Sequence, residues 1–118
     1  MTLQQILAVP KEKLYKMSKV KVNILPDTKR LYQHFARSIA DEIKQNNAQG
    51  KFTKIILPVG PTPQHRILAE ISNREKISWK NVYTFNMDEY LDWQGRSVSL
   101  NHPMSFEGFM RKNLFDLL

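Results

Sequence analysis

The chain has 118 residues, 42% hydrophobic and 25% charged, with a formal net charge of +7 and no cysteine. That is one domain's length with ordinary globular composition, which argues against wholesale disorder. The missing cysteines exclude a disulfide framework, thiolate catalysis and cysteine-ligated zinc, and no apolar run reaches the roughly 18–20 residues of a membrane span.

Residues 1–19 read as a basic N-terminal extension. Leu3, Ile6, Leu7, Leu14 and Met17 have helix-compatible spacing, but Pro10 disfavours one unbroken helix. No charged region precedes the apolar patch and no small-residue cleavage site follows it, so no signal peptide is expected. Residues 1–30 hold seven basic side chains (Lys11, Lys13, Lys16, Lys19, Lys21, Lys29, Arg30) against Glu12 and Asp27, so +5 of the +7 sits there. Such a segment can touch nucleic acid or an anionic surface. No zinc-finger or aromatic RNA-binding motif accompanies it, so a solvated lysine face is the plainer reading and no nucleic-acid partner is expected.

From residue 20 the pattern becomes regular. Val20 to Leu25 alternates apolar and polar like a first strand, ended by Pro26 and Asp27. Asp27 or Thr28 can cap a helix over 29–47, where Leu31, Phe35, Ile39 and Ile43 recur every four residues beside Ala36 and Ala40. Gly50 stands where that helix should stop. Phe52 to Val59 predicts a second strand, and its run Ile55-Ile56-Leu57 suits burial on both faces. Gly60-Pro61-Thr62-Pro63 is a tight turn, with Thr62 as N-cap and Pro63 as first helical residue. A helix over 64–74 follows, with Ile67, Leu68 and Ile71 inward. Val82 to Asn86 is a third strand, Arg96 to His102 a polar loop, and Pro103 to Leu114 a last helix with Phe106, Phe109, Met110 and Leu114 on one side. Strands alternating with helices imply an α/β fold, a three-layer Rossmann-like parallel sheet with helices on both faces, incomplete in this chain.

In open parallel sheets ligands bind beyond the carboxyl ends of the strands. The Gly60–Thr62 turn lies there, at a helix N-terminus whose free N–H groups and dipole favour an anion. Gly60 allows close backbone approach and Thr62 adds a hydroxyl; the plainer alternative is a turn that merely caps itself. Asp88 and Glu89 follow the third strand. A carboxylate there can act as a general base, or Asp88 can cap a helix while Glu89 sits in solvent. His34 reads as a surface residue, His65 as an exposed first-turn residue that can also face an anion, and His102 as a loop residue or part of a lid. The three histidines lack metal-ligand spacing, and no metal site is expected. Trp79 and Trp93 read as packing residues.

Five stretches carry a resemblance to a known family. They are Ile56-Leu57-Pro58-Val59-Gly60-Pro61-Thr62-Pro63; Ile77-Ser78-Trp79-Lys80-Asn81-Val82; Thr84-Phe85-Asn86-Met87-Asp88-Glu89-Tyr90; His102-Pro103-Met104-Ser105-Phe106; and Phe109-Met110-Arg111-Lys112-Asn113-Leu114-Phe115-Asp116. In order and spacing these resemble the glucosamine-6-phosphate deaminase (isomerase) family, from about residue 20 to the end. The Asn-Met-Asp-Glu-Tyr string is the strongest marker. The resemblance implies conversion of glucosamine 6-phosphate and water to fructose 6-phosphate and ammonia, in the cytoplasm, with no metal and no organic cofactor. It implies Asp88 as the base that moves the proton between adjacent carbons. It also implies Gly60, Pro61, Thr62 and Glu89 as the substrate- and phosphate-binding set.

Two features depart from the family pattern. Pro61 replaces the second glycine of a Gly-Gly-Thr-Pro turn and removes one N–H. Family members are also about twice as long, and their second half carries a Gly-x-Gly-x-Asp-Gly-His motif that opens the sugar ring. That motif is absent here, so no residue, His102 included, is assigned ring opening. Residues 20–118 therefore read as the amino-terminal half of a sugar-phosphate isomerase/deaminase domain. The expected partners are a sugar phosphate and either a second copy or a missing second half. Alternatives are a 6-phosphogluconolactonase-like hydrolase and a non-catalytic sugar-phosphate binding domain.

Overall fold

The computed structural model describes residues 2–17 and 19–118, without the side chains of Lys11, Leu14 and Tyr15. The expectations that fall on Met1, Ser18 and the Leu14 side chain lie outside the described residues. The extension forms two short helices, α1 (Leu3–Leu7) and α2 (Lys11–Met17), with Pro10 between them where the sequence predicts a break. A reciprocal cap starts α1: the Gln5 N–H donates to the Thr2 hydroxyl and the Thr2 N–H to the Gln5 side chain. Leu3, Ile6, Leu7 and Met17 are exposed, so they add nothing to the core.

The predicted strand at 20–25 does not form, and Val20, Val22 and Ile24 are exposed. Alternation supplies an apolar face, but a strand also needs a hydrogen-bonding neighbour. Among the described residues the sheet has two strands, β1 (Thr53–Leu57) and β2 (Val82–Asn86), paired in parallel from Thr53 opposite Val82 to Leu57 opposite Asn86. The fold is α/β with a parallel sheet, as expected. Its rows differ sharply in burial. Thr53, Ile55 and Leu57 face inward with Val82, Thr84 and Asn86, whereas Lys54, Ile56, Tyr83 and Phe85 are exposed. Ile56, expected to be buried, is 62% exposed. Among the described residues helices cover one face of the sheet only.

That face carries the core. Helix α3 (Thr28–Ala48) starts at Asp27, whose Oδ1 accepts the Arg30 N–H at 2.7 Å. Helix α4 (Pro63–Arg74) packs along it. Ala36, Ile39, Ala40 and Ile43 of α3 meet Leu57 of β1 and Leu68, Ala69 and Ile71 of α4 in one cluster, closed by Met110 and Leu114. The alanines let the helix backbones approach, and the branched side chains fill the remaining space. Glu75, just past α4, ties the two helices together. It accepts a two-pronged contact from Arg37 at 2.6 and 3.0 Å and another from Lys44 at 2.9 Å. Trp79 packs as expected, its Nε1 donating to Ser72 Oγ at 3.0 Å. Trp93, also expected to pack, is 89% exposed.

Helix α5 spans Phe106–Asn113, starting three residues later than the pattern predicts, and a short 3₁₀ turn follows at Phe115–Leu117. Ser105 decides the start, because its hydroxyl accepts the Gly108 N–H at 3.0 Å. The preceding loop is more ordered than expected. Leu91 and Ser97 form an antiparallel bridge around a turn held by Asp92, which accepts the N–H groups of Gln94 and Arg96.

Candidate functional site

Parallel pairing aligns the two strand ends. Leu57 lies opposite Asn86, and the Met87 N–H donates to the Leu57 carbonyl at 3.1 Å. The Gly60 turn begins three residues past Leu57 and Asp88 stands two past Asn86. Both leave the sheet at the same carboxyl-terminal edge, on neighbouring strands.

The turn is open. Gly60, Pro61 and Thr62 are exposed, and the Gly60–Pro61 peptide is cis. Gly60 lies outside the left-handed region, and a Cβ built on it meets no atom within 4 Å. Neither backbone conformation nor packing inside this chain therefore requires glycine there. The Gly60 and Thr62 N–H groups have no acceptor among the described residues. Thr62 occupies the N-cap position of α4, but its hydroxyl makes no cap bond, contrary to expectation. Its backbone is already helical, which turns the side chain from the usual capping geometry.

His65 is a clear correction. Expected at the surface, it is 1% exposed. Its Nε2 lies 3.0 Å from the Val59 carbonyl oxygen, and its ring meets Phe109 edge-on with centres 6.3 Å apart. Burial pushes its pKa below 6.5, against the opposing pull of the Val59 and Pro58 carbonyls. Gln64 beside it is equally buried. Both lie on the inward stripe of α4 with Leu68, Ala69 and Ser72. A helical projection of 63–74 carries that signal, which apolar residues alone concealed.

The two carboxylates differ in environment, in the opposite sense to the simple capping alternative. Asp88 is exposed and has no hydrogen-bond partner among the described residues. Glu89 is half-buried and caps α5 from outside. Its Oε1 accepts the N–H groups of Phe106 at 2.8 Å and Tyr90 at 2.9 Å, and its Oε2 accepts Glu107 N–H at 2.8 Å and the Ser105 hydroxyl at 3.3 Å. Burial pushes its carboxyl up, but the donated N–H bonds outweigh this and hold it below its ordinary 4.5. Glu89 thus turns both oxygens toward the helix N-terminus. Sequence reasoning missed this role, although Ser105 ahead of an apolar run marked the helix start it serves.

His34 and His102 are exposed, as expected, and His102 Nδ1 accepts the Met104 N–H at 3.2 Å inside its own turn. An open concavity of about 540 Å³ runs beside β2 and α5, lined by Thr84, Phe85, Asn86, Glu107, Arg111 and Phe115. It reaches the end of β2 but includes neither Asp88 nor Gly60. Among the described residues no group of three or more His, Asp or Glu is placed to hold a metal ion, and no helix is long and apolar enough to cross a membrane.

No protein-family model matches the sequence. Curated proteins do. A protein named glucosamine-6-phosphate deaminase from Borreliella afzelii is 40% identical over 83 residues, covering 68% of this chain and 29% of the relative. Proteins of the same name from Aliivibrio salmonicida and Caenorhabditis elegans are 37% identical over 84 residues and 33% over 98. Those matches cover 69% and 81% of this chain and 30% and 35% of the relatives. The matched part is thus about a third of each relative's length. Over most of its length the chain resembles part of the glucosamine-6-phosphate deaminase family.

Proposed function

We propose that this chain carries one side of a sugar-phosphate isomerase/deaminase site, acting on glucosamine 6-phosphate and water to give fructose 6-phosphate and ammonia. The observation that carries the reading is the register of β1 and β2, which brings the Gly60 turn and Asp88 to one sheet edge. A glycine that no contact among the described residues requires, flanked by N–H groups without acceptors among them, is what a bound phosphate would require. An exposed carboxylate without partners is what a base facing a sugar would require. Asp88 takes the proton from C2 of the open-chain sugar and returns it to C1. The resulting C2 imine adds water and loses ammonia. Gly60 and Thr62 hold the phosphate. Pro61 lacks an N–H and shapes the turn only. Glu89 holds the segment that presents Asp88 and does not meet the phosphate, since two anions would repel there.

The finer features of the reading rest on the same resemblance. They are a second helical layer on the open sheet face, supplied by another copy or by further sequence, and a cytoplasmic location. Asp88→Asn, in a protein that joins this segment to the other side of the site, tests the central assignment. Ammonia release from glucosamine 6-phosphate should fall by about a hundredfold or more, with sugar-phosphate binding retained. Undiminished ammonia release from that variant overturns the assignment. Binding without ammonia release, when the other side of the site is supplied, favours a non-catalytic binding domain.

A further inference from the structure

Two polar side chains are buried under the first turn of α4, and neither is satisfied as a core residue should be. His65 Nδ1 and Gln64 Oε1 have no hydrogen-bond partner among the described residues. A leucine at 65 would fill a core position without burying an unpaired nitrogen. The short contact His65 does make is to the Val59 carbonyl oxygen, at 3.0 Å, with the Pro58 carbonyl also acting on the ring; the Gln64 amide nitrogen is farther, at 3.4 Å. A carbonyl oxygen can only accept, so His65 Nε2 carries the hydrogen and Nδ1 the bare lone pair.

Val59 immediately precedes Gly60, and the peptide between them is not among the cis bonds. In a planar trans peptide the carbonyl and the following N–H point in opposite directions. A hydrogen bond that pulls the Val59 carbonyl toward the core therefore turns the Gly60 N–H away from it. That N–H has no acceptor among the described residues. We infer that His65 is a positioning residue: by holding the Val59 carbonyl it aims the Gly60 N–H at a phosphoryl oxygen of the sugar phosphate. The inference rests on the reading of this turn as a phosphate site.

Calorimetric titration of the full chain with glucosamine 6-phosphate tests it, using wild type, His65→Leu, His65→Gln, His65→Asn and Gly60→Val. Glutamine can place an N–H near the Nε2 position, whereas leucine has no donor and asparagine is too short. His65→Leu and His65→Asn should each weaken binding about tenfold, and His65→Gln should stay within about threefold of wild type. A purely structural role would track melting temperature instead of the presence of the donor. If His65→Leu does not fold, the comparison of glutamine with asparagine decides alone. If Gly60→Val loses binding while the donor-free His65 variants bind like wild type, the phosphate turn stands and the role of His65 falls. If wild type does not bind, or Gly60→Val binds normally, the phosphate reading itself falls and takes this inference with it.

Discussion

Adjacent carboxylates at 88 and 89 are set to opposite tasks by what surrounds them. Glu89 receives three backbone N–H groups and a hydroxyl, and Asp88 receives none among the described residues. Glu89→Gln keeps one acceptor oxygen but turns an NH₂ toward N–H groups that now lack a partner. It should lower stability by about 1–2 kcal/mol, measured by urea unfolding. Asp88→Asn touches no partner and should stay within about 0.5 kcal/mol of wild type in the same assay. The pair separates a folding role from a chemical one: Glu89→Gln should lose stability, and Asp88→Asn should lose turnover. Equal destabilisation by both would mean that Asp88 has packing partners the open strand end does not show. The Asn-Met-Asp-Glu-Tyr string pointed to a candidate site at this place. It did not say which carboxylate faces solvent, because that depends on where Ser105 starts a helix 16 residues later.

Elements with a strong period were legible, and those that depend on a neighbour were not. Helices α3 and α4 and strand β2 begin and end within a residue or so of their predicted limits, because apolar spacing and the flanking Asp27, Gly50 and Pro63 mark them. The segment 20–25 has an equally clear alternation but no strand beside it. Gly108 is a case where local propensity points the wrong way. Alanine in a helix gains up to about 1 kcal/mol over glycine, yet a Cβ at 108 would run into the Leu100 backbone carbonyl. Backbone yields poorly, so Gly108→Ala should destabilise by about 1–3 kcal/mol net; a raised melting temperature would show that the 100–105 turn gives way instead. The join between α3 and α4 has a pH signature. Hydrogen bonds from Arg37 and Lys44, with their charges, hold the Glu75 carboxyl at about 2 against burial's upward push, from an ordinary 4.5. A carboxylate depressed in the folded state leaves the unfolded state holding more protons between those values. Its contribution is complete above about 4.5 and lost as the pH falls toward about 2. Stability followed by circular dichroism should decline through that window, and Glu75→Gln should flatten the decline while lowering stability at neutral pH.

The molecule as a whole is more spread out than its length requires. Its radius of gyration is 17.9 Å, where a compact domain of this length would have about 13–14 Å. Its accessible surface is 9063 Å², against about 6,700 Å² for a folded monomer of this mass. Part of the excess is the basic extension, where Leu3, Ile6, Leu7 and Met17 lie in solvent. Part is the outer row of the sheet, where Ile56, Tyr83 and Phe85 are exposed and Phe52 meets Tyr83 edge-on at 5.5 Å. The sequence marked Ile56 as buried through the apolar run at 55–57. That run is correct for a strand covered on both faces, and only one face is covered here. An exposed apolar row on a short parallel sheet whose edges are unpaired among the described residues is a surface for association. The net charge of +7 opposes it at long range but is screened within about 8–10 Å at ordinary salt. The chain should therefore associate as salt rises, with light-scattering mass growing with concentration. Phe85→Lys, which places charge on the outer face without touching the inner row, should return it toward a monomer. A constant monomer mass for wild type across salt and concentration would mean that the outer row is covered from within the chain.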